Sequence, residues 1–321
     1  MYTCAVRPEI AALSAYVPGM SIAEIQEKYG LSKVVKMASN ENPLGVSPLV
    51  KEALGLHAGT AFRYPQGGNP RLVAALARTH GVSPDQVVVG NGSDEIIDML
   101  IRMLLVPGKH SVVCFEPCFS IYPIQAQVCG VEVRRHPLNP DFSFDLDALF
   151  ALVDDDSLLA SGDIPDNVAI MRTFSKSYGL AGLRLGYGIL PAELAQYYWR
   201  ARLPFSVNIL AEEAGIAVLQ DSTFRAATLE CVRAGRRRLT EGLRALGCTV
   251  WPSAANFIMM QLPEGCGTAA ACFEALLQRG IIIRPLKSYS LPDHLRVSVG
   301  SDEENTAFLE AMKQWMQEVR G

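Results

Sequence analysis

The chain has 321 residues, 49% of them hydrophobic and 19% charged, which suits a globular protein large enough for two domains. A net charge of -4 with both signs interspersed excludes a general nucleic-acid binder, and no apolar run is long enough for a membrane span. The start lacks a basic segment followed by an apolar one, so no secretory signal is expected. The eight cysteines form no CxxC pair and the five histidines are scattered, so reduced core thiols are expected, with no disulfide framework and no metal site.

In chain order, a helix is expected from Ile22 to Tyr29, with Gly30 as its stop, and then a polar loop at 37–45. A helix over 69–80 follows, with Leu72, Ala75, Leu76 and Thr79 on one face. Then come a strand at 86–89, an amphipathic helix through Ile96, Ile97, Leu100, Ile101 and Leu104, a strand at 111–115, a helix at 120–129 and a strand at 131–135. Strands are also expected at 168–171 and 185–189. This alternation implies an α/β fold whose large domain holds a mostly parallel sheet covered on both faces. The chain reads as helical almost throughout from 209 to 246. A smaller α+β domain follows, with strands at 249–252, 257–261, 281–284 and 295–299 and helices at 269–279 and 303–319. The expected domains are 34–210 for the large one, and 1–33 with 211–321 for the small one. Within the small one, the basic run Arg236-Arg237-Arg238 reads as a solvated helix face.

Two stretches carry chemistry. At 87–101 a strand runs into Asn91-Gly92-Ser93-Asp94-Glu95 and then a helix. A helix N-terminus offers unpaired N–H groups and partial positive charge, so it can hold a phosphate; an ordinary capped helix start reads the same way. The second stretch is Arg172-Thr173-Phe174-Ser175-Lys176-Ser177-Tyr178-Gly179-Leu180-Ala181-Gly182-Leu183-Arg184. It sets a lysine past a strand end among hydroxyls, with an arginine eight residues on. Pyridoxal-phosphate (PLP) chemistry needs an amine for the cofactor aldehyde, and hydroxyls and an arginine for its phosphate. A solvated surface loop is the plainer alternative.

Together with Asn40-Glu41-Asn42-Pro43-Leu44-Gly45, Tyr64-Pro65, Glu116-Pro117, Ile283-Arg284-Pro285-Leu286 and Leu295-Arg296-Val297-Ser298-Val299-Gly300, the lysine stretch resembles the histidinol-phosphate aminotransferase family of fold-type-I PLP enzymes. The resemblance implies a cytosolic homodimer with PLP as cofactor. Its small-molecule partners would be an amino donor, glutamate, and a phosphorylated acceptor, imidazole acetol phosphate. It implies no nucleic-acid or membrane partner. Lys176 would bond the cofactor and shuttle the proton. Ser93 and Asp94 would present N–H groups to the phosphate, and Thr173, Ser175 and Arg184 would complete its clamp. Phe119 stands where the family usually stacks a tyrosine on the cofactor ring. Arg296 would pair with the substrate carboxylate, and Arg284 with Tyr16 would meet the substrate phosphate. Asn42 falls among the substrate-binding positions, and Tyr64 would reach into the neighbouring subunit. An aromatic aminotransferase, a threonine-phosphate decarboxylase and a non-catalytic remnant of the fold are the alternatives.

One part of the family pattern does not occur. An Asn-Asn-Pro-Thr-Gly-like loop and an Asp-Glu-Ala-Tyr-like strand end, expected between 153 and 165, have no counterpart. The resemblance gives that asparagine to the cofactor's phenolic oxygen and that aspartate to its pyridine nitrogen. Asp154, Asp155, Asp156 and Asp163 read as a solvated loop instead. Two central strands would be missing, with unpaired edges left inside the sheet. Either the chain is a natural deletion with severely reduced activity, or the working protein carries a stretch that these 321 residues lack. An omitted stretch would show as a long Cα step within 153–165.

Overall fold

The computed structural model describes residues 6–13, 19–153, 157–159 and 168–320. The chain divides into two compact units. The first comprises residues 46–222 together with 6–13.

In the first unit Val87, Val88 and Val89 are fully buried in the strand Val87–Asn91. Gly92, at φ 78°, turns the chain out of that strand and into the helix Ser93–Leu104. Ile96, Ile97, Leu100 and Ile101 bury one face of this helix. Each such side chain contributes about 1.5–3 kcal/mol when fully buried. The strand Leu185–Ile189 lies between Val87–Asn91 and Ile170–Thr173 and runs antiparallel to both. A second sheet has the order Glu132–Pro137, Ser111–Glu116, Ser157–Leu159, with both pairings parallel. Ile97, Ile101, Val112, Ala126 and Val131 share one core cluster, with Met171 packed against it, so helices Ser93–Leu104 and Ile121–Val128 tie the two sheets together.

Among the described residues, the single mostly parallel sheet expected from the alternation is present as two three-stranded sheets. The parallel pairing is confined to one of them. Among the described residues, Ile170–Thr173 and Ser157–Leu159 each pair on one side only. The path through 154–156 and 160–167, on which the expected long Cα step bears, lies outside the described residues, as do Asp154, Asp155, Asp156 and Asp163.

The second unit comprises residues 19–45 and 223–320. Val35–Lys36 pairs in parallel with Ile281–Ile282. An antiparallel sheet has the order Arg284–Pro285, His294–Ser298, Phe257–Gln261, Thr249–Val250. Leu239, Ile258, Met260, Leu276, Val297, Phe308 and Trp315 fill the core between this sheet and the helices Ala269–Gln278, Asp302–Arg320 and the long helix that ends at Ala245. Arg236 donates to the Ala255 carbonyl and Arg238 to Asp302 and Thr306, so two members of the basic run are tied to neighbouring elements.

Two expectations need revision, the domain division and the strand at 281–284. The division differs from 34–210 against 1–33 with 211–321, because the pairing of Val35–Lys36 holds residues 34–45 in the second unit. The helix Ile209–Gln220 belongs to the first unit, where it packs on Pro48–His57 and Pro70–His80. The stretch from 209 to 246 is helical almost throughout as expected, in two helices, Ile209–Gln220 and Ser222–Ala245, that break at Asp221, whose ψ of 73° is not helical. The strand expected at 281–284 is two short ones that pair with different partners. Helices Pro48–His57 and Ala192–Ala201 come as additions; a proline stands at the first position of one and caps the other. No helix among the described residues is long and apolar enough to cross a membrane.

Candidate active site

Within the first unit the lysine stretch and the Gly92 turn come together. Thr173 ends its strand opposite Gly186, and Gly186 lies opposite Gly90 on the other side. A row of small residues thus crosses the sheet at this level. The row is needed: a Cβ on Gly186 would stand 2.2 Å from the Ser93 nitrogen, so the helix start rests directly on the strand. A Cβ on Gly90 would stand 2.9 Å from Ile96. Ser93 is the first residue of the helix and Gly92 its cap. The first-turn N–H groups at Ser93 and Asp94 accordingly have no intrahelical acceptor.

Arg184 reaches the same place from the other motif. It adopts a left-handed conformation (φ 54°), and its Nη2 lies 3.2 Å from Asp94 Oδ2. A Cβ on Gly92 would stand 2.8 Å from that same nitrogen. Lys176 lies in the turn after Ile170–Thr173. Phe174 N–H donates to the Leu185 carbonyl, Leu180 N–H to Phe174 and Gly179 N–H to Lys176, which closes the turn. Ser175 N–H donates to Thr173 Oγ1 at 3.0 Å. Behind the turn, Phe174, Tyr178 and Tyr187 form a buried aromatic cluster. Tyr198 donates to the Val89 carbonyl; burial pushes its phenol up and keeps it a donor.

The remaining candidates sit as follows. Phe119 is 50% exposed past the end of Ser111–Glu116, edge-on to Tyr122 at 5.9 Å. Tyr64 is 80% exposed and stacks on Phe205 at 4.8 Å. In the second unit Arg284 and Arg296 are direct cross-strand partners. Two like charges set opposite each other repel, a cost that a bound anion relieves. Arg296 Nη2 donates to the Ala38 carbonyl at 2.6 Å, with its guanidinium over the Phe257 ring. Asn42 donates to Thr228 Oγ1 and accepts from Leu44 N–H, so both ends of its side chain are engaged inside this unit. Tyr16 lies outside the described residues.

Sequence reasoning missed the set that shapes the 38–42 loop. Asn40, left-handed at φ 56°, takes both a backbone and a side-chain bond with Ser298, and Asn256 donates to its carbonyl. Asparagine tolerates that backbone region well, which is the one signal the sequence held.

The aminotransferase class I and II family model matches residues 32–162 and 157–312. A histidinol-phosphate aminotransferase of Oleidesulfovibrio alaskensis is 53% identical, covering 97% of this chain and 94% of that one. The chain belongs to the histidinol-phosphate aminotransferase family. A second member, histidinol-phosphate aminotransferase 2 of Methylococcus capsulatus, is 37% identical over 95% of this chain and 96% of its own. The solved structure of the Sinorhizobium meliloti histidinol-phosphate aminotransferase in complex with pyridoxal-5'-phosphate has the same fold, at TM-score 0.84, 23% identity and 98% coverage of both chains. The fold is that of the fold-type-I transferases. The family match falls in two pieces that meet at 157–162. The Oleidesulfovibrio alignment runs over 362 residues where this chain has 321, so at least 41 of its positions have no counterpart here. The family pattern is thus interrupted at the point where Ser157–Leu159 and Ile170–Thr173 are left with one partner each.

Proposed function

We propose that the chain transfers an amino group between glutamate and imidazole acetol phosphate, a step of histidine biosynthesis, with PLP as cofactor. It would do so in the cytosol as a homodimer. The observation that carries this reading is the meeting of Arg184, the Gly92 turn and the helix start at Ser93 in one unit with the Lys176 turn. The relatives' names give the substrate. Gly186 lets the helix start rest on the strand, Gly92 leaves room for the Arg184 guanidinium, and Arg184 with the helix N-terminus would supply counter-charge to a phosphate dianion.

PLP, when bound, supplies the electron sink that makes the substrate Cα–H acidic. The protein's own groups do the rest. The Lys176 amine holds the cofactor aldehyde and carries the proton to and from the substrate Cα. Ser93, Asp94, Thr173, Ser175 and Arg184 hold the phosphate. Phe119 covers the ring with an aromatic face and offers no hydroxyl. Arg296 binds the carboxylate of glutamate, Arg284 with Tyr16 binds the substrate phosphate, and Asn42 lines the substrate side. Tyr64 reaches the neighbouring subunit, which gives its exposure a purpose.

The interruption at 157–162 bears on rate. The resemblance places the partners of the pyridine nitrogen and phenolic oxygen in the stretch that is absent. The phosphate end and the lysine fit PLP, while the ring lacks those two holds, so binding is weak and turnover slow compared with uninterrupted relatives. The test is a PLP titration of the full chain, with borohydride trapping and glutamate-dependent turnover. Lys176→Ala should lose the borohydride-fixed adduct and all turnover and keep its circular dichroism. Normal turnover in that variant would remove the assignment.

A further inference from the structure

Glu95 follows Ser93 and Asp94 directly in the chain and has no part in the reading above. Among the described residues the strand Val87–Asn91 is the outer member of its sheet, with Leu185–Ile189 on one side only. Leu190 N–H donates to the Gln86 carbonyl, so residues 86, 88 and 90 turn their backbone groups to the partner strand, and 87, 89 and 91 turn theirs to the free edge. Side chains take up those edge groups. The Val89 carbonyl accepts from Tyr198 Oη at 3.2 Å and from Arg202 Nη1 at 3.0 Å. Two residues on, the Asn91 N–H donates to Glu95 Oε2. We infer that Glu95 is a positioning residue for the cofactor phosphate: its bond to Asn91 fixes the strand end from which the Gly92 turn aims the N–H groups of Ser93 and Asp94. The inference rests on the phosphate site of the proposed function.

An ordinary helix start puts this carboxylate elsewhere. In a capping box, as at Ser21 and Glu24, the cap hydroxyl accepts from the third helical residue, whose glutamate accepts from the cap N–H. Glu95 is the third residue of Ser93–Leu104, but the cap is Gly92, which has no side chain, and Glu95 reaches one residue further back, to Asn91. The other first-turn carboxylate, Asp94, is held by Arg184 at 3.2 Å. Both carboxylates of the turn are thus engaged elsewhere, which leaves the partial positive charge of the helix start to an outside anion.

Glu95 is also braced from the side. A Cβ on Gly90 would stand 3.0 Å from Glu95 Oε2 and 3.1 Å from Tyr198 Oη, so the carboxylate and the phenol lie over the same glycine. The Glu95 charge adds to the burial that keeps Tyr198 protonated, and Arg202 opposes it. Arg202 is itself buried, with its guanidinium over the Trp199 ring. Tyr198 lies near the end of the helix Ala192–Ala201 and Arg202 is its cap, so one helix end holds the strand at Val89 while Glu95 holds it at Asn91. Gly92, at φ 78°, is the permissive joint that follows, so the hold at Asn91 decides where the turn points.

The test measures PLP and pyridoxal affinity of the full chain, counting only adduct that borohydride fixes at Lys176, and amide exchange of the unliganded protein. Pyridoxal lacks the phosphate and reports on the rest of the site. Glu95→Ala should bind PLP about 10–100-fold more weakly, the worth of one charge-assisted hydrogen bond, and pyridoxal within about twofold of the parent. Its Asn91 amide should exchange at least about tenfold faster. Glu95→Gln keeps an acceptor oxygen and should stay within about threefold of the parent in all three. Asp98→Ala, which removes the next carboxylate of the same helix and its bond to Arg102, should match the parent. Parent PLP affinity in Glu95→Ala, or equal losses for PLP and pyridoxal, overturns the positioning role, as does a Glu95→Gln variant as weak as Glu95→Ala. A parent that fixes no PLP at Lys176 refutes the proposed function instead, and the Asn91 exchange then still decides whether Glu95 holds the strand end.

Discussion

Gly92 and Arg184 show how far single residues could be read from the sequence. The hydroxyls, the lysine and the arginine of the 172–184 stretch stood in plain view, since each is a reactive or charged group at fixed spacing. The glycines are different. That Gly186 bears the Ser93 nitrogen, and that the Arg184 guanidinium occupies the space beside Gly92, depends on strands Val87–Asn91 and Leu185–Ile189, far apart in the chain, meeting in register. Gly92→Ala should cost about 1–3 kcal/mol for its positive φ alone and should also displace Arg184. Urea denaturation should show the loss and a PLP titration a weaker affinity; parent values in both would contradict this. Arg296 also performs a task lysine cannot copy, because it bonds the Ala38 carbonyl while its guanidinium carbon lies over the Phe257 ring. Arg296→Lys should raise the KM for glutamate about 10–100-fold, the value of one charge-assisted hydrogen bond. Unchanged glutamate kinetics would exclude the carboxylate role.

At the scale of elements, helices with a clear cap were legible. Ile22–Tyr29 has the Ser21 capping box and left-handed Gly30, both local signals. Strand pairing was not legible, since 281–284 reads as one apolar run and divides only because Ile281–Ile282 and Arg284–Pro285 have different neighbours. The strand His294–Ser298 also carries a pH response. His294 lies against Trp251, and burial lowers its pKa below the ordinary 6.5 while Asp293 opposes the shift. A depressed histidine favours the neutral form in the folded state. Its contribution is therefore complete above about pH 6.5 and is lost as pH falls through the lower folded value. Melting temperature should drop between pH 7 and pH 5, and the drop should be smaller in His294→Gln. Parallel pH profiles for the two proteins would assign the drop to other groups.

For the whole molecule, the α/β class and the presence of two units were readable from the alternation of elements, and the boundary was not. It turns on Val35–Lys36, whose partner is Ile281–Ile282. The missing stretch was legible as an absent pattern, and among the described residues the first unit's strands fall into two sheets. Inserting the corresponding residues of the Oleidesulfovibrio relative at 157–162 should tighten PLP binding and raise glutamate-dependent turnover by orders of magnitude. Equal affinity and turnover with and without the insert would mean that groups of this chain already hold the ring.

The pairing of Val35–Lys36 with Ile281–Ile282 also sets a schedule for synthesis. The first unit is drawn mainly from one continuous stretch, 46–222, and has all of it once that stretch has left the ribosome. Residues 19–45 emerge earlier but find their sheet partner about 250 residues later. At about 5–20 residues per second, that is a wait of roughly 12–50 s. During that interval Val35 and Met37, nearly inaccessible in the finished unit, face solvent or a chaperone.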